Sequence, residues 1–261
     1  MGGHDRVHER PPRSPRPARA LAPSLSQADL IFDAGDAWED THRATGEAEA
    51  WATLTMMVEL GYDAMALGNH ETYLGPRLLR GLVSAAPLPV LATNLRSDLP
   101  TQRSVLMEVR GVRILILSVL WDLALVWPGW ELDDPLASVR AMLAEAPAHD
   151  LFILLGHMEF DRAQALAAHL PECNLFILGH NHRFLEEPTW EGSMPIVQAG
   201  QHGEAVGLVR LSEDGLTSYE LVRTPCPRRR AAVPPPHRAP SPPHPLAPTV
   251  SEVAPRRGPN R

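Results

Sequence analysis

The sequence predicts an α/β protein in which short apolar strands alternate with amphipathic helices. Four short apolar runs each end abruptly in glycine followed by polar residues, and amphipathic stretches lie between the runs. Hydrophobic residues make up 44% of the 261-residue chain, which is enough to bury a substantial core. Continuous apolar runs of this length are typical of strands covered on both faces. We therefore expect an α/β sandwich.

The four runs lead directly into the polar residues that are candidates for a functional site. They are Leu30–Phe32 before Gly35-Asp36, Ala64–Leu67 before Gly68-Asn69-His70-Glu71, Leu151–Leu155 before Gly156-His157, and Leu175–Leu178 before Gly179-His180-Asn181-His182. Ligands of α/β sheets gather at the carboxyl ends of the strands, so we expect these four polar clusters to converge. Further strands are expected at Val90–Ala92, Ile114–Leu120, Pro195–Ala199 and Leu208–Leu211.

Two stretches between the runs are expected to be helices, Glu47–Leu60 and Pro135–Ala146. In the second, Leu136, Val139 and Leu143 recur at helical spacing and would form its buried face.

Composition divides the chain into three zones. Residues 1–24 form an irregular Arg/Pro-rich N-terminal segment, residues 25–223 the folded domain, and residues 224–261 a Pro-rich tail. The tail holds 12 of the 27 prolines, so we expect it to be disordered.

The charge distribution excludes several classes of function. The chain carries a net charge of -7, but both ends are basic, which leaves residues 25–223 strongly acidic. A segment of that charge repels polyanions, so duplex nucleic acid is not an expected partner. Every residue in the Lys+Arg count of 24 is arginine, which excludes lysine Schiff-base chemistry and a P-loop lysine. An anionic substrate would need a bound cation to offset the acidic surroundings.

Two further features of the sequence are its cysteines and its signals for cellular location. Cys173 and Cys226 match neither a zinc ligand set nor a disulfide framework. No apolar run reaches the length of a membrane span, and the N-terminus is polar. We expect a cytoplasmic protein with no membrane span, and a periplasmic or secreted one if the natural chain begins upstream. The oligomeric state does not follow from the sequence.

The pair His180 and His182 is the most specific local signal for a metal. Residues two positions apart in an extended segment project from the same face, so both imidazoles could reach one ion or two adjacent ions. Imidazole combined with carboxylate and amide oxygen suits Mn, Fe, Zn, Co or Ni.

The order of the four clusters resembles the calcineurin-like metallophosphoesterase superfamily. The resemblance runs from about Asp29 to Leu211. Within that superfamily, Gly61–Met65, Pro89–Asn94 and Pro195–Gly200 are similar to the catalytic domain of bacterial 5'-nucleotidases. The resemblance implies a four-layer α/β/β/α sandwich.

The resemblance also implies two divalent metal ions, with Mn favoured, and a role for each candidate residue. The implied ligands are Asp36 bridging both metals, Asn69, His157 and His180 completing the shell of the second metal, and His182 on the first metal. His70 would lie beside the substrate, where it stabilises the phosphoryl oxygens or protonates the leaving group. Two such ions clamp a phosphate and generate a hydroxide for in-line attack.

The implied activity is hydrolysis of a small phosphomonoester, with a nucleotide as one candidate. Two alternatives stay open: a phosphodiesterase of the same superfamily, and a non-catalytic metal-binding module. The aromatic cluster Trp121, Trp127 and Trp130 would either pack in the core or a loop, which we favour, or form a lip that stacks a base. His202, which follows Gln198-Ala199-Gly200, is a weaker candidate for a substrate contact.

The sequence departs from the family pattern at its start. The family begins with a strand ending in Asp-x-His, which supplies two ligands of the first metal, and no such strand is recognisable here. His4, with Gly2 in place of the aspartate, or His8 would be the remnant. A late translation start, a shifted reading frame or a degenerate family member would each explain the departure. We expect a fold without its first strand and a weakened first-metal site, hence weak or absent hydrolase activity.

Overall fold

The computed structural model describes residues 19–38, 46–124, 126–213 and 215–224. His4 and His8 lie outside these residues. So do most of the predicted N-terminal segment 1–24 and nearly all of the predicted tail 224–261.

Five α-helices occur among the described residues, and they include both helices that the sequence predicts. They are α1 (Ala22–Leu25), α2 (Gly46–Leu60), α3 (Gly75–Ala85), α4 (Pro135–Glu145) and α5 (Phe160–Ala167). A 3₁₀-helix over His70–Leu74 precedes α3. Helix α4 begins with Pro135 directly after Asp134, whose side chain accepts a hydrogen bond from the Ala137 N–H. Proline in the first turn and an aspartate N-cap both favour helix initiation at this point.

Thirteen strands are present in the described part of the chain. They are β1 (Phe32–Asp33), β2 (Ala64–Ala66), β3 (Val90–Leu91), β4 (Leu95–Arg96), β5 (Ser104–Val109), β6 (Val112–Leu120), β7 (Glu131–Leu132), β8 (Leu151–Met158), β9 (Leu175–His180), β10 (Thr189–Glu191), β11 (Met194–Val197), β12 (Ala205–Ser212) and β13 (Gly215–Arg223).

Most of these strands belong to two sheets. The small sheet is parallel and has the order β1-β2-β3. The large sheet has the order β10-β11-β9-β8-β6-β5, in which the four central strands run parallel and the two edge strands run antiparallel. Strands β12 and β13 form an antiparallel hairpin, and β4 pairs with β7.

Three apolar clusters separate four layers, as the resemblance implies. Helices α2 and α3 pack on the outer face of the small sheet, for example through Leu54 and Leu82 against Met65. Helices α4 and α5 pack in the same way on the outer face of the large sheet. Between the sheets, Ala66 of β2 belongs to the same cluster as Ile153 of β8. The order is therefore α/β/β/α.

Strand β8 illustrates why the apolar runs predict strands so well. All eight of its residues are buried. Leu154 belongs to the helix-facing cluster, whereas Ile153 and Leu155 belong to the cluster between the sheets. Alternate side chains of a strand point to opposite faces, and here both faces are covered.

In the described residues, no strand precedes β1, and no helix is long and apolar enough to cross a membrane.

The packing of β8 predicts a large difference between two leucine truncations in the large sheet. Leu154 is fully buried, whereas Leu106 on the edge strand β5 is 39% exposed. We expect Leu154→Ala to lower the free energy of unfolding by about 2–5 kcal/mol, because it removes buried contacts and leaves a cavity. Leu106→Ala should change it by less than about 1 kcal/mol. Urea denaturation followed by circular dichroism measures both, and equal losses would contradict the layered core.

Candidate metal centre

Four of the predicted ligands meet at the carboxyl edge of the two sheets. Asp36 follows β1, Asn69 follows β2, and His157 and His180 lie at the ends of β8 and β9. Nε2 of His157 lies 3.0 Å from Asp36 Oδ2, 3.1 Å from Asn69 Oδ1 and 3.3 Å from His180 Nδ1. Residues that are far apart in the sequence therefore surround one imidazole nitrogen.

The contacts of the other nitrogen of His157 orient its ring. Nδ1 lies 2.8 Å from the carbonyl oxygen of Ala34, so it carries a proton and donates to that oxygen. Nε2 is thereby directed at the oxygens of Asp36 and Asn69. These oxygens repel the Nε2 lone pair unless a cation, either a proton or a metal ion, lies among them.

Electrostatics favour such a cation. Burial opposes a charge on His157, but the contact with Asp36 outweighs it and raises the pKa of the imidazole. Burial likewise opposes ionisation of Asp36, yet its contact with His157 lowers the pKa of that carboxyl. A metal ion binding here would replace the proton between the two groups, since metal ligands must be deprotonated.

His180 is oriented by a residue that the sequence did not identify. Its Nε2 lies 3.4 Å from Oε1 of Glu159, while its Nδ1 faces His157. Carboxylates commonly fix the ring of a metal-binding histidine in this way. Glu159 directly precedes α5, and no sequence pattern marks it as part of the site.

The chemistry of these residues fits a divalent transition-metal ion. Ligand atoms of Asp36, His157 and His180 all lie within 4.8 Å of one another, and the amide oxygen of Asn69 faces the same nitrogen of His157. The set offers one carboxylate, one amide oxygen and two imidazoles, which suits ions that accept both nitrogen and oxygen. We call these four residues the second-metal site.

His182 is not part of that group. Its ring lies beside His202, with the two ring centroids 6.1 Å apart. Burial lowers the pKa of His182, and the neighbouring His202 lowers it further, which favours the neutral ring that binds metals. Asp36 is near enough to act electrostatically on His182 in the opposite direction. The structure thus places the predicted fifth ligand near Asp36 but outside the close cluster.

His70 lies at the rim of the site. Its backbone N–H donates to Asp36 Oδ1 at 2.8 Å, and its Nδ1 lies 3.7 Å from Asp36 Oδ2. Its side chain is 37% exposed, in contrast to the fully buried side chain of His157. His70 is therefore accessible to a ligand approaching Asp36.

Glu71 has a structural role that the motif Gly68-Asn69-His70-Glu71 did not reveal. Its side chain is fully buried and accepts three backbone hydrogen bonds, from Gly68 at 2.9 Å, Asp36 at 3.1 Å and Trp38 at 3.1 Å. Burial and then the charge of Asp36 raise the pKa of Glu71 to about 7. Glu71 holds the loop that carries Asp36 against the loop that carries Asn69.

Two glycines allow the loops that carry Asp36 and Asn69 to lie close to each other and to His157. A Cβ on Gly68 would lie 2.2 Å from Asp36 Oδ1 and 2.5 Å from the Asp36 backbone nitrogen. A Cβ on Gly35 would lie 2.6 Å from His157 Nδ1, and Gly35 also has a φ of +99°. Glycine is therefore required at positions 35 and 68, after the first two apolar runs, because the backbone of the site approaches so closely there.

The three tryptophans do not act as one unit. Trp127 Nε1 donates to the Thr72 carbonyl and Trp130 Nε1 donates to Asp98, and both rings pack against the apolar cluster under α2 and α3. Trp121 is exposed and lies under the guanidinium of Arg162, 3.9 Å from its ring centroid. The interpretation favoured from the sequence, that these tryptophans pack in the core or a loop, therefore holds for Trp127 and Trp130.

The close contact at Gly68 predicts that a single methyl group disrupts metal binding. In Gly68→Ala the added Cβ would displace the Asp36 backbone, so we expect the affinity for Mn²⁺ to fall more than about tenfold. Gly81→Ala in α3 is the matched control, because its Cβ would meet only Trp51 at 3.8 Å. Isothermal titration with Mn²⁺ measures both variants. Wild-type affinity in Gly68→Ala would show that the site does not depend on this contact.

Comparison with known proteins finds metallophosphoesterases and 5'-nucleotidases as relatives, although no family model matches the chain. An uncharacterized metallophosphoesterase of Bacillus subtilis, YunD, is 26% identical over 74% of this chain and 44% of its own length. A mouse 5'-nucleotidase is 25% identical over 73% of this chain and 39% of its own length. The chain thus spans less than half the length of these two relatives.

Solved structures agree. The 5'-nucleotidase precursor of Thermus thermophilus superposes with a TM-score of 0.65 and 26% identity, covering 78% of this chain and 48% of that one. The calcineurin-like phosphoesterase YfkN of Bacillus subtilis has the same fold, with a TM-score of 0.64 at 18% identity over 80% of this chain and 82% of its own. The chain is similar in sequence and fold to metallophosphoesterases and 5'-nucleotidases, which are phosphoester hydrolases.

Proposed function

We propose that this chain is a metal-dependent phosphoester hydrolase that acts on a small phosphomonoester, with nucleotides as the first substrates to test. The observation that carries the proposal is the convergence of Asp36, Asn69 and His180 on Nε2 of His157 at one edge of the sandwich. A cluster of one carboxylate, one amide and two imidazoles can hold a divalent ion.

Relatives named 5'-nucleotidase support the choice of substrate class. This chain matches less than half of their length, so a nucleotide is proposed here only as a class of phosphomonoester. The described residues nevertheless contain the edge at which Asp36, Asn69, His157 and His180 meet.

Each residue has a proposed role toward two divalent ions, with Mn²⁺ favoured. Such ions would supply charge neutralisation for the phosphoryl group and would lower the pKa of a bound water. Asp36 would bridge them, because Oδ2 faces His157 at 3.0 Å while Oδ1 is held by the His70 N–H at 2.8 Å. His182 would serve the first-metal site, which we define as Asp36 and His182.

His70 is proposed to protonate the leaving group. Its ring is partly exposed and lies within 3.7 Å of Asp36, so a substrate oxygen directed at the cluster would pass beside it. Histidine is suited to this transfer because its reference pKa of about 6.5 lies close to neutral pH.

The proposal also assigns the site to residues 25–223 as one catalytic domain.

Hydrolysis by the full chain tests this proposal directly. With p-nitrophenyl phosphate or AMP and added Mn²⁺, Asp36→Asn should lower the rate by about 100-fold or more, because losing a ligand exceeds the 10–100-fold cost of disturbing a residue that only supports one. The matched control is Asp29→Asn, since Asp29 is an exposed carboxylate paired with Arg110. Phosphate release by malachite green measures the rates.

The wild-type chain also reports on the alternative functions. Release of phosphate that requires Mn²⁺ and disappears in Asp36→Asn supports the proposal. Metal binding with no release above the Asp36→Asn background would instead indicate the non-catalytic metal-binding module. Turnover of bis-p-nitrophenyl phosphate in preference to the monoester would indicate the phosphodiesterase.

A further inference from the structure

His202 lies where it can extend the first-metal site. This histidine stands in the turn that precedes β12, and its ring centroid is 6.1 Å from that of His182. Asp36 is close enough to influence His182 electrostatically. Two neighbouring imidazoles therefore lie within electrostatic range of the Asp36 carboxylate.

Backbone hydrogen bonds hold the two histidine-bearing segments together. The N–H of Gly200 donates to the carbonyl of Arg183 at 2.8 Å, and the N–H of Leu185 donates to the carbonyl of Gln198 at 3.1 Å. Phe184 and Ala199 form the antiparallel bridge between these contacts. The positions of His182 and His202 are thus fixed by a short ladder and not by side-chain packing alone.

The separation of the rings is compatible with a shared ion. Metal–nitrogen distances of about 2.0–2.1 Å place the ring centroids of two imidazoles on one ion roughly 5–6 Å apart. His157 and His180, which belong to the second-metal site, have centroids 5.0 Å apart. The centroids of His182 and His202, 6.1 Å apart, lie close to the upper end of that range.

The backbone conformation singles out the same residues. Among the described residues, five that are not glycine have a positive φ, and four of them are Asp36 at 61°, His180 at 83°, His182 at 59° and His202 at 53°. The fifth, Arg110, occupies the tight turn between β5 and β6. Left-handed conformations of residues other than glycine concentrate at functional sites, where the surrounding structure enforces them.

Asn181, whose side-chain amide is buried, lies between His180 and His182 in the sequence. The side-chain oxygen and nitrogen of Asn181 are both buried, and neither has a hydrogen-bond partner among the described residues. Gln198, at the start of the turn that carries His202, is 2% exposed and has the same property within this part of the chain. Buried amides are normally hydrogen-bonded, so these two side chains are unusual among the described residues.

We propose that His202 is a protein ligand of the first-metal site and joins His182 and Asp36 in holding a divalent transition-metal ion there. The inference rests on the proposed function, because that function places an ion beside Asp36. It adds a ligand that the family pattern does not supply, and it gives this ion three protein ligands among the described residues.

Metal stoichiometry of the full chain tests the assignment. After equilibrium dialysis against Mn²⁺, elemental analysis of the wild type should give two ions per chain, and His202→Gln should give one. His169→Gln is the matched control, because His169 is an exposed histidine just after the end of α5. This variant should keep two ions. His157→Gln removes a ligand of the second-metal site and reports on that site separately.

The outcomes separate this inference from the proposed function. Two ions in His202→Gln overturn the role of His202 and leave the function intact. One ion in the wild type, lost in His157→Gln but not in His202→Gln, also overturns it while supporting the second-metal site. No bound ion in the wild type overturns both.

Nuclear magnetic resonance of the wild type gives an answer that does not depend on whether a variant folds. In protein labelled with ¹⁵N-histidine, saturation with Zn²⁺ should shift one ring nitrogen of His182 and one of His202 together. An unchanged His202 signal at full saturation would overturn the assignment.

Discussion

The buried carboxylate of Glu71 is the constraint on which the geometry of the site depends. One side chain accepts the N–H groups of Gly68, Asp36 and Trp38 and thereby ties the loop after β1 to the loop after β2. Asp36 returns a contact by accepting the N–H of His70. These bonds extend the β1–β2 pairing into the two loops and fix the loops relative to each other. The orientation of Asp36 toward His157 follows from it.

The second constraint is the meeting of two sheets at their carboxyl edges. Strands β1 and β2 belong to the small sheet, and β8 and β9 belong to the large one. Apolar packing between the sheets, in the cluster that contains Ala66 and Ile153, sets the spacing at which Asp36 and Asn69 face His157. The small side chains of Ala64 and Ala66 allow this close packing. The site is therefore a consequence of sheet packing as much as of the loops.

The sequence predicted the parts of this arrangement that depend on local pattern. The apolar run of β8 indicated a strand covered on both faces, and α2 begins within one residue of its predicted start. It did not predict α3, nor α5, which has eight residues, six of them alanine or polar. Nor did it assign a role to Glu71 or Glu159, and it offered His202 only as a substrate contact, because a carboxylate or imidazole acquires such a role only from neighbours distant in the chain.

The central claim is that Asp36, Asn69, His157 and His180 bind a divalent metal ion. Anomalous X-ray scattering from crystals grown with Mn²⁺ tests it most directly. The account predicts an anomalous peak about 2.0–2.3 Å from His157 Nε2 and in contact with Asp36, Asn69 and His180. A well-ordered crystal with no peak among these four side chains, or with its strongest peak at another part of the molecule, would contradict the account.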